Sequence, residues 1–180
     1  KITNELRLGV AYESPTWYGM YDESQQRLQT YHFENGTSTY TDVNPNIITV
    51  YDKYKITIPA SYTGSLAYIF GKSGLISVDY KRKDYSKTSY KSDFASYDDI
   101  NTYYKNNLKA TNEIRVGGEY RINQISLRAG YRFVESPYKE THIIGDLNSA
   151  TGGIGYSFGT ARLDFGYSFT HQPISMNIIG

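Results

Sequence analysis

Between residues 113 and 133 the chain alternates apolar and polar positions around a turn signal at Asn123-Gln124. Ile114, Val116, Tyr120 and Ile122 fall in phase before the turn, and Ile125, Leu127, Ala129, Tyr131 and Phe133 after it. Arg115, Glu119, Arg121, Ser126, Arg128 and Arg132 take the alternate positions. A period of two is a strand period, because successive side chains point to opposite faces. The segments 113–122 and 125–133 are therefore predicted as two strands of a hairpin. The same reading predicts strands at about 4–12, 54–70, 75–86, 150–158 and 162–170. Leu6, Leu8, Val10 and Tyr12 share a face in the first, and Ile76, Val78 and Tyr80 oppose Ser77, Asp79 and Lys81 in the third. Ile154, Tyr156 and Phe158 are in phase in the sixth, as are Leu163, Phe165, Tyr167 and Phe169 in the seventh. Pro59 interrupts the second, so that strand is expected to bend or lose its pairing there.

The connections sort by length. Short turns fall at 71–74, 123–124 and 159–161, while long loops are expected over about 13–53, 87–109 and 134–149. Long aromatic stripes backed by charged faces, with short turns at one end and long loops at the other, are the pattern of a transmembrane β-barrel. A soluble sandwich has no reason to sort its loops this way. In the second long loop Ile100, Tyr104 and Leu108 are spaced as on one helix face, so 98–108 reads either as a short helix or as a solvated loop with anchoring aromatics. Glu13-Ser14-Pro15 and Glu135-Ser136-Pro137 both stand where a strand enters a long loop; proline stops pairing there.

Composition narrows the picture. Tyrosine supplies 20 of the 180 residues, beside 7 Phe and 1 Trp, and suits both strands and membrane interfaces. A net charge of +1 gives no bulk electrostatic footprint for nucleic acid. The chain has no cysteine, which excludes disulfides and thiolate-bound metal. No run of 18 apolar residues is present, as a membrane helix would need, and mean hydropathy is −0.56. A barrel tolerates that value, because half of its strand residues and its loops are polar. The first residues have no apolar signal-peptide core, and the last ten read as a loop entry. The chain is expected to be an internal piece of a longer protein.

A two-residue turn at Asn123-Gln124 fixes a register. Ile122 then faces Ile125, Tyr120 faces Leu127, Glu119 faces Arg128, Gly117 faces Gly130 and Arg115 faces Arg132. The Glu119–Arg128 pair attracts and the Arg115–Arg132 pair repels. Two facing arginines need an acid or anion nearby, and Glu113 and Asp79 are the candidates. Arg115, Glu119, Arg128, Arg132, Asp79 and Asp164 are the candidate residues of a lumen wall. This face is either a charge ladder lining a wet lumen or an anion-coordinating patch on a solute path. Gly117, Gly130, Gly155 and Gly166 share it, either to permit sheet curvature or to let another element or a solute approach. His32, His142 and His171 lack metal-ligand spacing. No glycine-rich phosphate cradle leads into a helix. Neither catalysis, a metal nor a cofactor is expected.

Three stretches carry a family resemblance: Leu6-Arg7-Leu8-Gly9-Val10-Ala11-Tyr12-Glu13-Ser14-Pro15, Gly64-Ser65-Leu66-Ala67-Tyr68-Ile69-Phe70-Gly71 and Ile114-Arg115-Val116-Gly117-Gly118-Glu119-Tyr120. Gly145-Asp146-Leu147-Asn148 before a glycine-rich strand adds to them. Together they resemble the C-terminal half of the FadL/TodX outer-membrane transporters. The resemblance implies an all-β, antiparallel transmembrane barrel in the bacterial outer membrane. It implies passive import of hydrophobic small-molecule solutes such as long-chain fatty acids. Residues 1–180 would form one partial barrel of about seven strands, without the family's N-terminal hatch or closing strand. The alternative is a barrel whose long extracellular loops serve adhesion or anchoring.

Overall fold

The computed structural model describes residues 3–34, 36–140 and 143–175. His142 and residues 176–180 of the expected loop entry lie outside them. The strands are β1 (Leu6–Glu13), β2 (Thr16–Met20), β3 (Glu23–Gln25), β4 (Leu28–Glu34), β5 (Thr37–Val43), β6 (Ile48–Val50), β7 (Tyr54–Ile58), β8 (Ser61–Phe70), β9 (Gly74–Asp84), β10 (Ser89–Lys91), β11 (Ala110–Ile122), β12 (Ile125–Val134), β13 (Leu147–Ser157) and β14 (Arg162–His171). Among the described residues one α-helix, α1, spans Asp98–Asn107, and a single 3-10 turn covers Tyr85–Lys87.

Seven of these strands form one antiparallel sheet in the order β1-β8-β9-β11-β12-β13-β14. Each partner is the next wall strand along the chain, so the sheet is an up-and-down meander. The register predicted for the central hairpin is the one observed, from Ile122 opposite Ile125 to Arg115 opposite Arg132. Its turn is held by Asn123 at φ 53°, a left-handed conformation that asparagine accepts more readily than most residues. Gly71 (φ 54°) and Gly159 (φ 92°) serve the other two short turns.

The expectation of loops over 13–53 and 87–109 is corrected. The first region contains β2 to β6 and the second contains β10 and α1. β2, β7 and β10 form their own sheet beyond short breaks in the wall strands. The break at Pro59-Ala60 divides the expected long second strand into β7 and β8, because proline cannot donate to a ladder. β4 pairs with β5, and β3 with β6. The 98–108 pattern resolves as helix, with Asp98 and Asp99 in the first turn and Lys105 in the last, all complementing the helix dipole. β13 begins at Leu147, three residues before its expected start.

The wall is a single layer. Leu108 is the only buried large aliphatic or aromatic residue among the described residues. Residues directly opposite in an antiparallel ladder point to the same face, so rows can be followed across all seven strands. One row reads Leu8–Leu66–Val78–Val116–Tyr131–Ala150–Phe169. The row on its turn side holds Tyr68, Ile76 and Tyr167, and the next holds Phe70, Tyr120, Leu127 and Phe165. Toward the excursions the apolar face closes on Tyr12 and Tyr62, whose ring centroids are 5.1 Å apart. In that row Arg82 faces Asn112, and the Asn112 Oδ1 accepts from Arg82 (3.0 Å) and from the Tyr80 hydroxyl (2.6 Å). From β1 to β11 the middle row is aliphatic, with aromatic residues toward both margins, and such an apolar band with aromatic girdles is the lipid-facing profile of a barrel. The five inner strands are paired on both sides, so their backbone polar groups are satisfied within the ladder, as hydrocarbon requires.

Candidate functional site: the charged face of the wall

The opposite face carries the candidate residues in paired rows. Arg115 and Arg132 are cross-strand neighbours, and Glu113 resolves their repulsion. Its Oε1 accepts from Arg115 Nε at 2.6 Å and from Arg132 Nε at 2.7 Å. The Glu113 side chain is 12% exposed, against about half for either arginine. Asp79, the other candidate acid, stands opposite Arg115 on β9, yet the arginine turns to Glu113 and no ion pair joins it to Asp79 among the described residues. Nearby, Lys81 Nζ donates to Glu13 Oε2 at 2.9 Å.

A second network runs along the turn end. Glu119 accepts from Arg121 through one oxygen and from Arg128 Nε through the other, the latter at 2.7 Å. Arg128 Nη1 continues to Asp164 Oδ1 at 2.7 Å. Asp164 also pairs with Arg162, which donates to Ser126 Oγ at 3.1 Å. Arg128 lies on β12 and Asp164 on β14, so this link passes over β13. Two glycines leave the room. A Cβ at Gly155 would collide with the Asp164 carboxylate. A Cβ at Gly153 would come within 3.1 Å of the Phe165 carbonyl and 3.7 Å of Arg128 Cβ.

The same-face glycines therefore differ. At Gly155 the room is taken by the carboxylate of its own cross-strand partner, Asp164. At Gly130 a Cβ would sit 2.7 Å from Thr151 Oγ1. Gly117 and Gly166 have no neighbour closer than 3.8 Å and 4.0 Å respectively, which leaves backbone freedom as their contribution. The sequence reading did not single out Gly153 or Arg162. The signal was present only as register, because Arg128 faces Gly153 and Gly153 faces Gly166.

The chemistry this face displays is ion pairing. Among the described residues no three His, Asp or Glu side chains gather to hold a metal. No helix among them is long and apolar enough to cross a membrane, which does not bear on crossing by strands.

A single antiparallel layer, apolar on one face and ion-paired on the other, with tight turns at one end and long excursions at the other, defines the wall of an outer-membrane β-barrel. The chain belongs to the outer membrane protein transport protein family (OMPP1/FadL/TodX), whose model matches residues 1–176. It is a protein of the bacterial outer membrane. Among solved structures it is similar to a Pseudomonas aeruginosa FadL homologue, at 16% identity and a TM-score of 0.60, covering 96% of this chain and 41% of that one. The Pseudomonas putida toluene transporter TodX aligns at 17% identity and a TM-score of 0.47, covering 93% of this chain and 40% of that one. The chain thus spans about two fifths of the length of these structures and forms part of a barrel. No curated protein matches it.

Proposed function

We propose that the full-length protein carries hydrophobic small solutes, with long-chain fatty acids as the substrate class, passively through the lumen of its barrel. Residues 1–180 act as one wall domain. The observation that carries this reading is the two-faced single layer: an apolar band that needs lipid and an ion-paired face that needs water. Arg115, Glu119, Arg128, Arg132, Asp79 and Asp164 are assigned to the lumen wall. The shared carboxylates fix the arginines in place, so the face is a stiff, hydrated lining rather than a set of loose cations. Membership of a transport family supplies the direction of the proposal, a conduit rather than an enzyme.

The test is uptake of radiolabelled oleate by intact cells. A strain lacking the protein should take up less than the parent, and the full-length protein should restore the difference. Equal uptake in the two strains would sink the fatty-acid assignment.

A further inference from the structure

The excursion sheet β2–β7–β10 has two unlike faces. Tyr54 and Tyr90 lie on one, against Tyr97 and the helical Tyr104. The other carries Trp17, Lys55 and Lys91. Lys55 and Lys91 are directly opposite each other, an arrangement that like charges disfavour. Lys53 lines the same hollow, where Ser92 Oγ donates to its carbonyl at 2.8 Å. The third position of the Lys55 row is Gly19, and a Cβ there would meet nothing within 4 Å. The space above the lysines is open. Asp93 is the acidic residue at its edge, and no ion pair joins it to any of the three lysines among the described residues.

Two lysines set directly opposite each other and a third lining the same hollow, with no acid ion-paired to any of them among the described residues, suit an anion of more than one charge. Trp17 shares the face, stands two residues along from the lysine row, and is 60% exposed. Exposed tryptophan beside lysine is a mark of the membrane interface. The sheet also lies beyond the excursion end of the wall, which in an outer-membrane barrel faces outward. The outer leaflet there presents phosphorylated glycolipid. We propose that Lys53, Lys55 and Lys91 form a phosphate-binding site for the headgroup of an outer-leaflet glycolipid, with Trp17 seated at the interface beside it. The site anchors the excursion sheet to the membrane surface and is separate from the solute path.

The full-length protein in detergent can be titrated with diphosphorylated lipid A and read by native mass spectrometry. Wild type should retain the lipid, and K55Q/K91Q should bind it about thirtyfold more weakly. K55R/K91R should bind like wild type, and both variants should keep the heat-modifiable gel mobility of a folded barrel. Enzymatically dephosphorylated lipid A should bind as poorly as the glutamine variant does. Undiminished binding by K55Q/K91Q, or equal binding of the dephosphorylated lipid, would overturn the site. Displacement of the lipid by inorganic phosphate at equal phosphate concentration would assign the site to a free anion and overturn the lipid reading.

Discussion

Arg128 reaches over an intervening strand to Asp164, Nη1 to Oδ1 2.7 Å, and the strand beneath is glycine at both positions the link crosses. A side chain at Gly155 would occupy the place of the Asp164 carboxylate. Gly155→Val is therefore expected to destabilise the folded protein by about 1–3 kcal/mol, the usual cost of overpacking. Gly166→Ala, whose new methyl meets nothing nearer than 4.0 Å, should stay within about 0.5 kcal/mol of wild type. Urea unfolding of the full-length protein in lipid vesicles compares them. Equal effects would mean that β13 does not carry the crossing.

Val116 and Arg115 are neighbours in sequence on opposite faces, and Val116 lies in the aliphatic middle of the apolar band. Val116→Arg should cost about 2–4 kcal/mol if that band meets lipid. Arg115→Ala should cost about 1 kcal/mol or less, since half its side chain is exposed and Glu113 keeps Arg132. The same vesicle unfolding assay applies, and a reversed order would invert the assignment of the two faces.

Asn123 holds the central hairpin at a positive φ of 53°. Asn123→Val should lose about 1–2 kcal/mol, because a β-branched residue resists the left-handed region. Asn123→Gly should be tolerated. A glycine variant as damaged as the valine one would show that the side chain, not the backbone conformation, matters at this turn.

Tyr104 in α1 stacks on Tyr90, with ring centroids 5.8 Å apart. The Tyr90 hydroxyl, then burial, pushes the Tyr104 phenol up to about 12, from about 10 in an unfolded chain. The folded state thus holds this proton more tightly. Its contribution to stability is complete below about pH 10 and is lost as pH rises from about 10 to 12. NMR of tyrosine labelled at Cζ should show one resonance, absent in Tyr104→Phe, with a midpoint near 12. A Tyr104 midpoint near 10 would remove the stacked cluster as its cause.

Much of the wall was legible in the sequence, because its physics is local. Period-two alternation marked the strands, and a two-residue turn left one register that placed apolar residues together. That register brought Arg115 against Arg132 and pointed to Glu113 as the acid between them. The Arg128–Asp164 link was not legible, since it joins strands that are not neighbours and depends on two absent side chains. The excursions were read as loops for a different reason. β4 alternates only over the short run Thr30-Tyr31-His32-Phe33-Glu34, and β5, with Ser38-Thr39-Tyr40-Thr41, does not alternate apolar with polar. Their pairing is a matter of backbone hydrogen bonds, supported by Arg27 and Asp42, and it buries little.

The polar cluster of Tyr80, Arg82 and Asn112 also fixes a height. From Asn112 to Ile122 the outward face of β11 climbs ten residue steps, about 34 Å of strand, or about 26 Å along the membrane normal at a barrel's usual tilt. That is close to the roughly 25 Å apolar band of outer-membrane barrels. The wall therefore works as a gauge of hydrocarbon thickness. A bilayer with longer acyl chains would submerge Arg82 and Asn112, and a thinner one would strand Ile122 in water.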